Sequence, residues 1–254
     1  MAKIIAFSNQ KGGVGKTTAC VNIAAFCAEN GKQVLIVDLD AQANASSSVG
    51  VFDKNAHNST FEMMFDGANV ADCIRDTEIN GLKILPSSKD LAGAEFELAR
   101  MEKGREYLVK EKLAPVNNEF DYIFIDCAPS LGLLAVNALV ASNGVVVPIA
   151  CEYLSLEGLA QMMNTIKLVR RRLNPELSVA GVALTMYDGR NRLARDVRTE
   201  IDRLFGNKVF ETAIPKNVRL AEAPSYGKPI SLYDKNCAGA KAYGALAKEF
   251  IRRI

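Results

Sequence analysis

The sequence is poor in the residues that build metal and redox centres. It has one histidine, His57, and its six cysteines (Cys20, Cys27, Cys73, Cys127, Cys151 and Cys237) form no C-x-x-C pair. Both absences argue against a zinc site or a dithiol couple. No internal repeat, low-complexity tract or Pro/Ser-rich linker interrupts the chain, which reads as one domain over residues 1–254. Neither charge sign prevails: 31 Lys and Arg stand against 29 Asp and Glu, with 49% hydrophobic and 24% charged residues. That balance excludes a disordered or fibrous chain. Charge is missing altogether from Cys127 to Cys151, a run of 25 residues. A membrane span is not the expected reading, because Pro129, Asn137, Asn143-Gly144 and Pro148 break the run. A buried helix, a turn and a buried strand from Val145 to Ala150 fit it better. Met1-Ala2-Lys3 leads directly into an apolar strand, so the expectation is a cytoplasmic protein with reduced thiols and no signal peptide.

The near-zero net charge hides an asymmetry. Residues 1–166 carry a formal −7 and residues 167–254 a formal +9. Such a chain can turn a basic face to an acidic polymer while staying near neutral overall.

Apolar runs alternate with helical stretches throughout. Strands are expected at Ile4–Phe7, Val34–Val37, Leu82–Leu85, Tyr122–Ile125, Val145–Ile149, Val179–Thr185 and Val209–Ile214. Helices are expected at Thr17–Asn30, Leu154–Leu173 and Ala194–Phe205. Continuously apolar strands separated by helices predict an α/β fold, with a mostly parallel sheet covered on both faces.

The strongest local signal is Lys11-Gly12-Gly13-Val14-Gly15-Lys16-Thr17-Thr18, between the first strand and the first helix. In that setting the glycines let backbone N–H groups converge on phosphate oxygens, and the helix N-terminus favours negative charge. Lys16 is placed to reach the β/γ-phosphates, and the Thr17 hydroxyl to take a Mg²⁺ position. Three carboxylates, Asp38, Asp40 and Asp126, follow the ends of the second and fourth expected strands, where ligands of open α/β sheets bind. No N-K-x-D segment, the usual guanine reader, is present. Adenine is therefore the favoured base, and ATP the favoured nucleotide.

The loop departs from the common G-x-x-x-x-G-K-S/T, with Gln10 at the first glycine position and Lys11 added upstream. It resembles the deviant Walker A motif K-G-G-x-G-K-S/T of the ParA/MinD ATPases. Asp38-Leu39-Asp40-Ala41-Gln42-Ala43-Asn44 is similar to the D-x-D-P-Q-x-N segment of ParA proteins, with Ala41 in place of proline. Asp126-Cys127-Ala128-Pro129-Ser130 has Ala128 where a second proline is usual. Cys151 to Leu159 and the long Ile214 to Ile230 segment resemble the small chromosomal ParA proteins called Soj, and the resemblance spans the whole chain.

That resemblance implies a three-layer P-loop NTPase fold and an ATPase that acts in chromosome or plasmid partitioning. It implies catalytic roles for Lys11 (acting across a nucleotide sandwich dimer), Lys16 and Asp40, the last orienting the attacking water. Asp126 would hold Mg²⁺ with Thr17, and Asp38 would support the metal. The adenine pocket would lie near Met186, Pro215 and Asn217. Arg190, Arg192, Arg195, Arg198, Lys216 and Arg219 would let the ATP homodimer bind double-stranded DNA without reading sequence, through its phosphates. A ParB-like centromere-binding protein would stimulate hydrolysis, and no membrane is implied. The rival reading is a MinD-like membrane ATPase, for which Leu246, Phe250 and Ile254 would form a basic amphipathic anchor. A helix docked on the core is the expected role of that segment instead.

Overall fold

The computed structural model describes residues 1–52, 57–152 and 155–254. Tyr153 and Leu154, in the Soj-like segment, lie outside the described residues. Seven strands form one sheet: β1 (Lys3–Phe7), β2 (Val34–Leu39), β3 (Arg75–Asp76), β4 (Leu82–Leu85), β5 (Tyr122–Cys127), β6 (Gly144–Ala150) and β7 (Ser178–Thr185). Their order is β3-β4-β2-β5-β1-β6-β7. All pairings are parallel except β3 with β4.

Residue alternation assigns the strands' side chains to two cores. Leu35, Val37, Ile123 and Ile125 face one, which the helices Leu133–Ala141, Ser155–Arg172 and Arg192–Phe205 cover. Val34, Ile36, Tyr122 and Phe124 face the other, under α1 (Lys16–Glu29) and the terminal helix Ala238–Arg253. The uncharged run resolves into the helix Leu133–Ala141 followed by β6, as its prolines and Asn-Gly turn predict. No described helix is long and apolar enough to cross a membrane. Leu246 and Phe250 are fully buried and Ile254 packs partly against the same core. The apolar stripe of the terminal helix is therefore used inside the protein, as the docked reading expects.

One expected strand is absent. Val209–Ile214 forms no strand; it meets β7 at an isolated bridge, Val182–Val209, and a second bridge, Tyr187–Pro215, lies just beyond both segments. Phe210 and Ile214 donate to the carbonyls of Val182 and Leu184. The amides between them go elsewhere. Glu211 N and Thr212 N donate to the Glu249 carboxylate at 2.8 and 3.1 Å. Arg253 reaches the carbonyls of Val209, at 3.1 Å, and of Asn207, and also Glu249 at 3.0 Å. Two charged side chains of the terminal helix thus take the places of a neighbouring strand. The seventh strand is the short antiparallel β3 instead, whose Arg75-Asp76 has no apolar pattern to announce it.

Burial opposes ionisation of Glu249, but the two amide donors and the Arg253 guanidinium outweigh it and hold its pKa below the usual carboxylate value. A depressed folded pKa stabilises above the unfolded value and loses that stabilisation as pH falls through the folded one. Glu249→Ala is expected to lower stability at neutral pH by about 2–3 kcal/mol, as charge-assisted hydrogen bonds to a buried group imply. Urea melts across pH should show the gap from wild type closing below about pH 4.

Candidate nucleotide site

The carboxyl ends of β1, β2 and β5 meet at one edge of the sheet, and β1 feeds the glycine loop. The loop's shape needs glycine at two places: Gly13 and Gly15 have φ of 73° and 82°, the left-handed region that costs other residues dearly. Gly15 then serves as N-cap of α1. Two buried polar groups brace the loop from outside. Asn9 donates to the Pro148 carbonyl at 2.8 Å and accepts from Lys11 N at 3.0 Å. Thr185 donates to the Val14 carbonyl at 2.8 Å, tying the loop to the end of β7.

Lys16 lies across the loop and donates to the Lys11 carbonyl at 3.1 Å. Burial lowers its pKa, against the opposing pull of Asp126, Cys127 and Asp40. Lys11 forms an ion pair with the exposed Glu152 at 2.8 Å. Gly12 is open: a Cβ there would meet no atom of this chain within 4 Å.

Asp38 and Asp126 are register partners on β2 and β5, and both are fully buried. Their surroundings differ. Asp38 accepts from Asp40 N at 3.2 Å, from Ser46 N at 2.8 Å and from Ser46 Oγ at 2.7 Å. Ser46 Oγ in turn accepts from Ser87 N at 3.1 Å, and Thr60 Oγ1 donates to the Asp38 carbonyl at 2.9 Å. Both carboxylate oxygens of Asp126 are buried with no hydrogen-bond partner. The Thr17 hydroxyl lies beside them, close enough to favour the ionised form but outside hydrogen-bond geometry. Desolvation and the neighbouring Asp38 raise the Asp126 pKa strongly. Desolvation likewise raises that of Asp38, against the Ser46 donors.

These residues fit a magnesium ion. Mg²⁺ uses one or two protein oxygens and completes its shell with water and phosphate. Asp126 offers two unpartnered oxygens, and Thr17 a hydroxyl. Among the described residues no group of three or more His, Cys, Asp or Glu side chains could hold a metal alone. Asp38 faces the same edge with its carboxylate already committed to three donors, so it positions the Asp40 loop as much as it adds charge. Asp40 is half-buried and accepts from Gln42 N at 2.9 Å with one carboxylate oxygen. The next turn places Ala43 at φ 54°, strained for a residue with a Cβ.

Met186, Pro215 and Asn217 converge as expected, around a cavity of 370 Å³ that Gly15, Thr18 and Tyr243 also line. Met186 has φ 51° and is 40% exposed. Asn217 accepts from Arg219 N at 2.9 Å, capping the helix Val218–Glu222. A second, more polar cavity of 540 Å³ adjoins it, with Glu152, Arg190 and Lys216 in its wall.

The six basic candidates are only partly brought together. Arg190 and Lys216 line that second cavity. Arg195 turns back to the carbonyls of Gly189 and Arg190 at 2.9 and 3.3 Å. Arg198 lies 5.5 Å over the Tyr187 ring. Most of the arginines face an acid: Arg190 with Asp188 at 3.0 Å, Arg192 with Asp196 at 3.8 Å, Arg198 with Asp202 at 3.5 Å, and Arg219 with Glu222 at 2.9 Å.

A family model described as an AAA domain matches residues 2–179. The sporulation initiation inhibitor protein Soj of Bacillus subtilis (strain 168) is 50% identical, over 98% of this chain and 98% of its own. The chromosome-partitioning ATPase Soj of Treponema pallidum is 46% identical, over 100% of this chain and 98% of its own. Among solved structures, the Mycobacterium smegmatis cobyrinic acid a,c-diamide synthase with bound ADP and magnesium is 35% identical, with a TM-score of 0.86 over 99% of this chain and 95% of that one.

A buried carboxylate without partners destabilises the fold unless a cation meets it. Asp126→Asn is therefore expected to melt at an unchanged or higher temperature without ligand, with a gain of up to about 3 kcal/mol. The same variant should lose the part of the ADP-induced thermal shift that EDTA abolishes in wild type.

Proposed function

The chain belongs to the Soj/ParA family of chromosome-partitioning ATPases, and from that premise we propose that it is an ATP-driven switch that releases DNA on hydrolysis. Its activity is ATP hydrolysis with Mg²⁺. In the proposal ATP closes a homodimer, the dimer coats nucleoid DNA without reading sequence, and a ParB-like partner triggers hydrolysis. The observation that carries the reading is the pairing of a phosphate loop with a second lysine at its rim. Lys16 lies inside the loop beside the buried Asp126, while Lys11 points outward to Glu152. A lysine in that position can exchange its carboxylate for the phosphates of a facing copy.

Phosphoryl transfer needs positioning and charge neutralisation more than covalent chemistry. Bound Mg²⁺ supplies charge neutralisation at the β/γ-phosphates. The backbone of Gly12–Thr18 orients the phosphates, and Lys16 balances their charge. Asp126 and Thr17 hold the metal. Asp40 retains one carboxylate oxygen to orient a water. Asp38 keeps Asp40 and Ser46 in place. ATP works as a switch by stabilising the dimer more than the monomer.

Two experiments test this. Gly12→Val is expected to fold and bind ATP as a monomer, because the chain itself leaves room for the side chain, and to fail to dimerise. A normal ATP dimer by light scattering would count against the sandwich. DNA binding should require ATP rather than ADP, ignore sequence and weaken with salt. Replacing Arg190, Arg192 and Arg219 together should flatten the log–log salt slope by about one unit for every phosphate that an arginine no longer neutralises. An unchanged slope in the folded triple variant would move the DNA surface elsewhere.

A further inference from the structure

The 370 Å³ cavity beside the phosphate loop has mainly carbon walls: Ile214, Pro215, Val218 and Leu220 line it, with Met186 at its edge. A flat heterocycle fits such walls, but carbon walls cannot tell one base from another. Thr18, Thr185, Lys216 and Asn217 also line it, with Thr185 and Asn217 committed to the backbone of Val14 and Arg219; Tyr243, on the terminal helix, is the buried aromatic among the polar liners. Tyr243 is 1% exposed and its ring belongs to the core beneath the sheet, yet it also lines this cavity. Its hydroxyl has no hydrogen-bond partner among the described residues. It is also not one of the polar atoms sealed from solvent, and the residue lines this cavity.

A hydroxyl that keeps some solvent access but has no protein partner pairs with water or with a ligand that displaces it. Such a polar atom, on an enclosed ring that lines an apolar slot beside a phosphate loop, has the character of a ligand contact. We infer that the Tyr243 hydroxyl hydrogen-bonds the edge of the nucleobase and sets the base preference of the site. The inference rests on the nucleotide reading given above. The group can serve either way: burial raises its pKa, so the phenol stays protonated, donating to a ring nitrogen or accepting from an exocyclic amine. This gives the chain a base-reading group in the absence of an N-K-x-D segment. A site that hydrogen-bonds its substrate discriminates more sharply than one that only fits its shape, because a wrong edge leaves the buried partner unpaired.

Tyr243→Phe removes the oxygen and keeps the ring. Titration calorimetry with Mg²⁺ would measure ATP, GTP and tripolyphosphate, the last as a probe without a base. We expect ATP to bind about three- to tenfold more weakly, the ATP-to-GTP ratio to move toward one, and tripolyphosphate to bind as to wild type. Without ligand the variant should melt no lower than wild type, since it loses an unpartnered hydroxyl, while its ATP-induced thermal shift shrinks. A packing role alone would move these quantities in the opposite pattern. ATP affinity and base ratio equal to wild type would overturn the inference, as would a parallel loss of tripolyphosphate binding or a lower melting temperature without ligand. Lys16→Ala separates the two levels. If it leaves ATP affinity unchanged, the nucleotide reading itself falls. If it abolishes binding while Tyr243→Phe changes nothing, only the role of Tyr243 falls.

Discussion

Two carboxylates stand side by side at the ends of β2 and β5, both out of water, and the rest of the site is arranged around that fact. Like charges this close and this buried oppose each other's ionisation. The chain resolves the conflict asymmetrically. Asp38 receives two backbone N–H groups and a serine hydroxyl. Asp126 receives none, and is left with a threonine hydroxyl and the Lys16 ammonium nearby. One carboxylate is thereby structural and holds the Asp40 turn to the helix that begins at Asn44. The other keeps both oxygens without a partner, as the proposed metal role requires. The parallel register that sets Asp38 opposite Asp126 is the constraint on which both roles depend.

The terminal helix does comparable work on the far side of the loop. Glu249 and Arg253 satisfy the backbone of the segment that follows Asn207, and that segment runs directly into Pro215 and Asn217. Tyr243 and Glu249 sit six residues apart on this helix, so it both shapes the wall of the cavity and contributes to it. Phe250 anchors it, with its ring in edge contact with those of Tyr122 and Phe124. A helix that could be mistaken for a surface anchor is in fact part of the scaffold of the cavity beside the phosphate loop. Its apolar residues cannot leave the core without exposing Phe124 on the central strand β5.

What the sequence made legible was whatever depends on local pattern. The phosphate loop could be read because glycine at positive φ and a lysine at a helix start are local requirements, and Asp126 because it ends an apolar run. The strands of the sheet's centre were legible as unbroken apolar segments. Interactions made across the fold left no such trace. Asn9, Ser46 and Thr60 brace the site through partners distant in sequence, such as Pro148, Asp38 and Pro86. Of the three, only Asn9 carries a local hint, as a lone amide between a strand and a glycine loop. Val209–Ile214 misled for the same reason: it has a strand's composition, but the amides of Glu211 and Thr212 in its middle are taken by Glu249, far along the chain. Tyr243 shares an alanine-rich helix with one other aromatic, Phe250, no local pattern sets it apart, and its ring is core.

The basic third of the chain poses a different problem, one of competition rather than position. Arg190, Arg192, Arg198 and Arg219 each meet a carboxylate, and Asp188 and Glu222 are held below their usual pKa by hydrogen bonds from the arginines beside them. Exposed pairs of this kind contribute little to stability, whereas a phosphate contact on a polyanion also gains from released counterions. The guanidiniums can therefore change partner at small cost. The acids still matter to the balance. In the proposed switch they would lower the local potential of a single copy, so that one copy's arginines would attract DNA weakly and those of two copies facing the same duplex would add their contributions. On that proposal affinity would depend steeply on whether two copies are joined. That dependence is what a nucleotide-controlled dimer needs in order to release DNA when it comes apart.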